Sequence, residues 1–234
     1  MNRQLLLSVL PESAPTLANF VPGPNHPALA AVRALAPGRA LYLWGAAGCG
    51  RSHLLRALAS VPGARYITAG MEARAALPAL AQSDAQAAMP PVIAVDDIHL
   101  MDDAGQAALF ALYNRWRESA ATGRAFALAV AGDRAPLAMP LREDLRTRLG
   151  WDLVYGLAQL SDADKLEALG RQAAERGLQL SPEVLNWMLT HYDRDMRRLA
   201  TLLDALDRYS LATRRPINIS LLRTMLADPD THTK

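Results

Sequence analysis

Cysteine is almost missing from this chain of 234 residues: Cys49 stands alone. That excludes an intrachain disulfide and a cysteine-based zinc cluster, and it fits the reducing cytoplasm. Lysine is nearly as scarce. Of the 25 basic residues only Lys165 and Lys234 are lysines, leaving 23 arginines beside abundant alanine. This pattern matches GC-rich codon usage, so an arginine is read as functional only where its position argues for it. The charge imbalance is small as well, and a net +2 is too mild to imply a polyanionic partner. Long apolar runs are lacking. Leu5-Leu6-Leu7-Ser8-Val9-Leu10 is too short for the apolar core of a signal peptide and has no small-x-small cleavage site behind it. Residues 13–32 carry no charge, but Pro15, Pro22, Pro24 and Pro27 interrupt them, which breaks a spanning helix. A soluble chain with no membrane partner is expected.

What is present is a large apolar fraction, 51% against 21% charged, enough to bury a core. The length suits one α/β domain and a small appendage. Residues 1–25 read as an irregular, proline-punctuated arm. Elements then alternate. The apolar run 40–44 predicts a strand, and Ser52 opens a helix with Leu54, Leu55 and Leu58 on one side. A strand at 65–68 and an alanine-rich helix at 71–82 follow. Val92-Ile93-Ala94-Val95 is continuous and apolar, as in a parallel strand buried on both faces. Leu109, Leu112, Tyr113 and Trp116 recur at helical spacing and read as core. Strands at 126–131 and 153–155 complete a parallel sheet with crossover helices. Past Leu160 only helices are expected. Ser161 with Asp164 reads as a cap, Ser181-Pro182-Glu183 as a second, and leucines 199, 202, 203 and 206 mark a third helix before a fourth at 219–226. The expected domains are thus an arm over 1–25, an α/β nucleotide-binding domain over 26–158 and a helical domain over 159–234.

The chemistry gathers at Gly45-Ala46-Ala47-Gly48-Cys49-Gly50-Arg51-Ser52, between a strand and a helix. This is the phosphate loop G-x-x-x-x-G-K-[ST] with Arg51 in the lysine position. Glycines let backbone N–H groups converge on a phosphate, the helix N-terminus faces the same anion, and Ser52 offers a hydroxyl to Mg²⁺. Arginine supplies the cation in a bulkier, planar form. Asp96 and Asp97 end the third strand as a Walker B pair: Asp96 for Mg²⁺, Asp97 to polarise an attacking water. Such a pair also serves as an ordinary polar exit from a strand. Cys49, at a helix start, is a filler or a thiol of lowered pKa. The five histidines show no metal-ligand spacing.

Trp44 to Leu55, the Asp96-Asp97-Ile98 turn, Gly132-Asp133-Arg134, Arg146-Thr147-Arg148-Leu149-Gly150-Trp151 and Arg194-Asp195-Met196-Arg197-Arg198-Leu199 stand in that order along the chain. Together they resemble the AAA+ ATPases of the bacterial initiator group and, within it, the Hda family of DnaA-related regulators. The resemblance implies an AAA+ P-loop sheet followed by a small all-α lid. It also implies a bound ADP or ATP with Mg²⁺, held by Gly45, Gly48, Gly50, Arg51, Ser52 and His53. Phe20 and Pro22 would pack on the adenine. Asp133 would take the sensor 1 position, Arg197 that of sensor 2, and Arg148 that of the box VII arginine finger, which reaches a neighbouring subunit's nucleotide. Gln4, Leu5 and Leu7 resemble the family's sliding-clamp-binding motif, with Ser8 where a proline is usual.

From this resemblance the expected partners are DnaA and the DNA-loaded clamp, the β subunit of DNA polymerase III. An AAA+ interface would also admit a homo-oligomer. The chain ends soon after the last expected lid helix, at Thr231-His232-Thr233-Lys234, so no module for sequence-specific DNA reading is expected. The expected role is a regulator that stimulates hydrolysis of DnaA-bound ATP and prevents re-initiation. The alternatives are an autonomous ATPase or loader working through Asp97, and a nucleic-acid binder using Arg194, Arg197, Arg198, Arg214 and Arg215.

Overall fold

The computed structural model describes residues 14–83, 88–192 and 196–227, leaving aside the side chain of Arg197. They form two compact units, Pro15–Gln159 and a second from Leu160 onward. Residues 15–25 therefore pack as part of the α/β unit rather than as an arm separate from it. Asn25 shows why. Its buried amide donates to the Ala158 carbonyl at 2.9 Å and accepts from the Ala158 N–H at 2.8 Å, pinning the segment to the chain beyond the last strand.

In the α/β unit the helices are α1 (His26–Arg33), α2 (Arg51–Leu58), α3 (Met71–Gln82), α4 (Asp103–Ser119) and α5 (Glu143–Leu149). The strands β1 (Ala40–Trp44), β2 (Arg65–Thr68), β3 (Val92–Asp96), β4 (Ala127–Gly132) and β5 (Leu153–Gly156) build one parallel sheet in the order β2-β3-β4-β1-β5. Two helices lie outside the sequence expectations. α1 forms in the uncharged stretch because Pro27 falls in its first turn, where a missing N–H costs nothing. α5 carries acids at its start and arginines at its end, which complements the helix dipole.

Strand residues alternate between two cores. Tyr42, Ile93, Val95, Leu128 and Val130 join residues of α3, α4 and α5 in one, including the whole stripe Leu109, Leu112, Tyr113 and Trp116. Leu41, Leu43, Ala94, Ala129 and Ala131 join those of α1 and α2 in the other. Helices on both faces force the strands to be apolar throughout. They also leave the C-terminal strand ends as the place where polar loops gather: the phosphate loop after β1, Asp97 after β3 and Asp133 after β4.

The second unit contains α6 (Asp162–Glu175), α7 (Pro182–His191), α8 (Met196–Thr213) and α9 (Ile219–Ala227). Ser161 and Asp164 form a reciprocal capping box, and Ser181 accepts the Val184 N–H. Leu169, Met188, Leu199, Leu203, Leu206 and Leu221 form its core, beside a half-buried Arg176–Asp204 ion pair of 2.7 Å. Among the described residues no helix is long and apolar enough to cross a membrane.

Candidate nucleotide site

The loop between β1 and α2 takes a shape that only glycine permits. Gly50, at φ +103°, has the Phe20 ring so close that a Cβ would stand 2.7 Å from its Cε2. Gly45 is equally hemmed in, with a Cβ position 2.4 Å from the Leu157 carbonyl oxygen. Gly48 has φ +81°. No side chain caps the first turn of α2, so its N–H groups face the loop with the positive end of the helix dipole behind them.

Arg51 opens α2 and is only 8% exposed. Its Nη1 is buried without a hydrogen-bond partner, and its Nη2 lies 3.7 Å from Asp97 Oδ1. A buried, partly unpaired guanidinium is costly. It fits a site shaped for an anion that would take up that donor. Asp97 is held in the left-handed region at φ 53°, an uncommon state for a non-glycine residue, and its carboxylate is turned towards Arg51.

Asp96 is fully buried. One carboxylate oxygen accepts the Tyr66 hydroxyl at 2.7 Å and the other accepts the Asp97 N–H at 2.8 Å. Burial pushes the Tyr66 phenol up to about 12, with the Asp96 hydrogen bond adding to the rise. Ser52 sits partly exposed in the first turn of α2. Among the described residues no group of three or more His, Cys, Asp or Glu is placed to hold a metal ion. Ser52 and Asp96 are the oxygen donors here that could serve a Mg²⁺.

Asp133 follows β4. Its Oδ2 accepts from Arg134 Nε at 3.1 Å, while its Oδ1 is buried and unpartnered. Beneath it the Tyr42 hydroxyl donates to the Arg134 carbonyl at 2.7 Å. Burial raises the Tyr42 pKa; the Asp133 charge adds to the rise and Arg51 opposes it. Phe20 is buried against Gly50 and tilts onto His53 at 5.4 Å, and His53 Nε2 lies 2.9 Å from the Thr16 carbonyl. Pro22 precedes a 3-10 turn on the same segment. The α/β unit thus brings together Phe20, His53, the loop glycines and Arg51, with Asp97 facing Arg51. Cys49 is a buried filler of the loop: burial, the largest cause, raises its thiol pKa against the lowering contacts from Arg51, so the helix start does not activate it.

Arg148 lies elsewhere, on α5. Its Nε and Nη2 donate to Asn114 Oδ1 at 3.0 and 2.8 Å, and its Nη1 donates to the Asp144 carbonyl at 3.2 Å. Its guanidinium carbon stands 3.8 Å from the Phe110 ring centroid and 4.6 Å from that of Trp151. Arg197 is the second residue of α8, with its side chain outside the described set. Gln4, Leu5 and Leu7 also lie outside the described residues.

Residues 162–226 match the family model described as "Hda, lid domain". The helical unit of this chain is thus similar to the lid of the Hda family. The Hda match opens with α6 and reaches α9. Among solved structures, domain III of the Thermotoga maritima replication initiation protein DnaA is similar at TM-score 0.72 and 22% identity, covering 94% of this chain and 98% of that one. The Aquifex aeolicus DnaA bound to AMPPCP is similar at TM-score 0.64 and 19% identity, covering 82% of this chain and 65% of that one. A Thermotoga maritima RuvB point variant follows at 0.62 and 18%, covering 85% and 64%. The chain thus spans about two thirds of the Aquifex DnaA and RuvB chains it matches. The fold is that of these DnaA and RuvB structures: a parallel five-stranded sheet with crossover helices, followed by helices that match the Hda lid model.

Three contributors escaped the sequence reading: Tyr66, which holds Asp96; Asn25, which anchors the segment carrying Phe20 and Pro22; and Asn114, which holds Arg148. Each acts across 30 or more residues, and no local motif marks it.

Proposed function

We propose that the chain is a nucleotide-holding regulator that docks on the DNA-loaded sliding clamp through Gln4, Leu5 and Leu7 and presents Arg148 to ATP bound by DnaA. Hydrolysis would then occur in the partner, switching the initiator off. The observation that carries the nucleotide half is the buried Arg51 guanidinium with an unsatisfied donor beside an uncapped helix start. An adenosine diphosphate or triphosphate would fill that gap, its phosphates against Gly45, Gly48, Gly50 and Arg51. Mg²⁺ at Ser52, with Asp96 behind it, would neutralise phosphate charge. Asp133 would sit on the γ-phosphate side and Arg197 would supply the sensor 2 cation. Phe20 and Pro22, with His53, are the residues proposed for the adenine side.

The regulator reading is favoured over an autonomous ATPase by Asp97. A carboxylate that polarises water must be free to accept its proton, whereas this one faces the Arg51 guanidinium at 3.7 Å. The test is ATP hydrolysis by ATP-loaded DnaA in the presence of clamp on DNA. Wild-type protein should accelerate it, and Arg148→Ala should lose the acceleration by about a thousandfold or more, the usual worth of an arginine finger, while still binding clamp. Brisk turnover by the protein alone, unaffected by DnaA and clamp, would overturn the reading.

A further inference from the structure

We infer that Asn114 is the positioning residue of the Arg148 finger, and that an uncharged bracket is used so that the finger reaches its partner with its whole positive charge. This rests on the regulator reading above. An arginine reaching into another subunit has to be both stiff and uncompensated, and these needs conflict. The simplest way to fix a guanidinium is a carboxylate, but a carboxylate cancels the charge that phosphate must see.

The structure meets both needs. Asn114, on α4, accepts two N–H groups on one atom, Oδ1, along the Nε/Nη2 edge of Arg148. Because arginine only donates, the amide must present its oxygen here. The Phe110 ring at 3.8 Å and the Trp151 ring at 4.6 Å hold the plane, and aromatic rings attract the cation without neutralising it. The two acids nearest in sequence, Asp144 and Asp152, are otherwise engaged: the Asp144 carboxylate accepts from Arg142 Nη2 at 2.8 Å and from the Leu145 N–H at 2.8 Å, so that only its main-chain carbonyl touches Arg148, and the Asp152 carboxylate pairs with Arg39. Three of the five guanidinium N–H groups are thereby used, and one on each terminal nitrogen remains. Those two donors are left for phosphate oxygens. Trp151, 36% exposed, also carries the Arg117 guanidinium at 4.6 Å, so the surroundings of the finger are cationic. The ligand this arrangement selects is a phosphate chain carried by another protein.

Asn114→Ala, Asn114→Asp, Arg148→Ala and the Asn114→Ala/Arg148→Ala double variant test this in the DnaA hydrolysis assay, with clamp co-elution and melting temperature measured alongside. Asn114→Ala should lower maximal stimulation about tenfold to a hundredfold, as a misplaced group does, with clamp binding unchanged. Asn114→Asp should melt no lower than wild type, because it gains an ion pair, yet should lose stimulation by about tenfold or more. In the double variant the loss should equal that of Arg148→Ala alone, since the two residues act as one unit. If Arg148→Ala loses stimulation while both Asn114 variants keep it, the positioning role is overturned and the regulator reading stands. Full stimulation by Asn114→Asp alone would overturn the uncharged-bracket argument. Stimulation retained in Arg148→Ala would overturn the finger and Asn114's role together.

Discussion

At Arg51 the folded chain carries a guanidinium that is nearly out of contact with water and has one donor unused. Replacing a buried, partly unpaired guanidinium with apolar volume removes its desolvation cost, and Asp97, the partner left behind, is exposed enough to be solvated. Arg51→Met should therefore leave the melting temperature of nucleotide-free protein unchanged or raised, while the purified variant releases no nucleotide on denaturation. Mass analysis of the released fraction checks this: wild type should yield ADP or ATP, and equal yield from the variant would show that the cation is dispensable. The residue scale also divides what was legible in the sequence from what was not. Gly45, Gly48, Gly50, Arg51, Ser52, Asp96 and Asp97 stand in two short motifs whose backbone geometry is local, so their position beside a strand end is readable from spacing alone. Tyr66 and Asn114 are not. An ordinary tyrosine and an ordinary asparagine acquire a task only when the sheet order sets β2 against β3 and packing sets α5 beside α4.

At the scale of elements, β5 is an edge strand tied to β1 by chemistry as well as by its ladder. Arg39 donates from Nε and Nη2 to both carboxylate oxygens of Asp152, at 2.8 and 2.6 Å, and the Ala40 N–H donates at 2.9 Å. The Arg39 hydrogen bond is the main cause that holds the Asp152 pKa below the ordinary carboxylate value of 3.8, against a partial burial that raises it; the Ala40 N–H adds to the lowering. A carboxylate depressed in the folded state stabilises fully above its unfolded value and loses that contribution as pH falls through its folded value. Asp152→Asn should thus unfold at lower urea than wild type at pH 7, and the difference should narrow as the pH is taken below 3.8. A gap that stays constant into acid would show that the ion pair is not its source. The strands and the lid caps were readable at this scale because periodicity and Ser-x-x-Asp spacing are local. α1 was not, since prolines that forbid a long helix are welcome in the first turn of a short one.

At the scale of the molecule, an α/β unit that carries the phosphate loop is followed by a helical unit that matches the Hda lid model. The proposed division of labour assigns docking to the N-terminal residues and chemistry to α5. The two should separate by mutation. Replacing Gln4, Leu5 and Leu7 with alanine should abolish co-elution with the clamp and leave nucleotide content unchanged; retained co-elution would reject the motif.

The double hydrogen bond between Asn25 and Ala158 gives this division a mechanical side. It joins the two ends of the α/β unit, 133 residues apart in sequence, at one point. The chain enters the unit at Pro15, upstream of that point, and leaves it for the lid just beyond. A partner gripping the N-terminal tail would therefore pull on the same knot from which the lid connection departs. On its way to that knot the pull would first meet Thr16 and Phe20, which rest on His53 and Gly50, so tension on the tether would bear on the phosphate loop before it reached the lid connection.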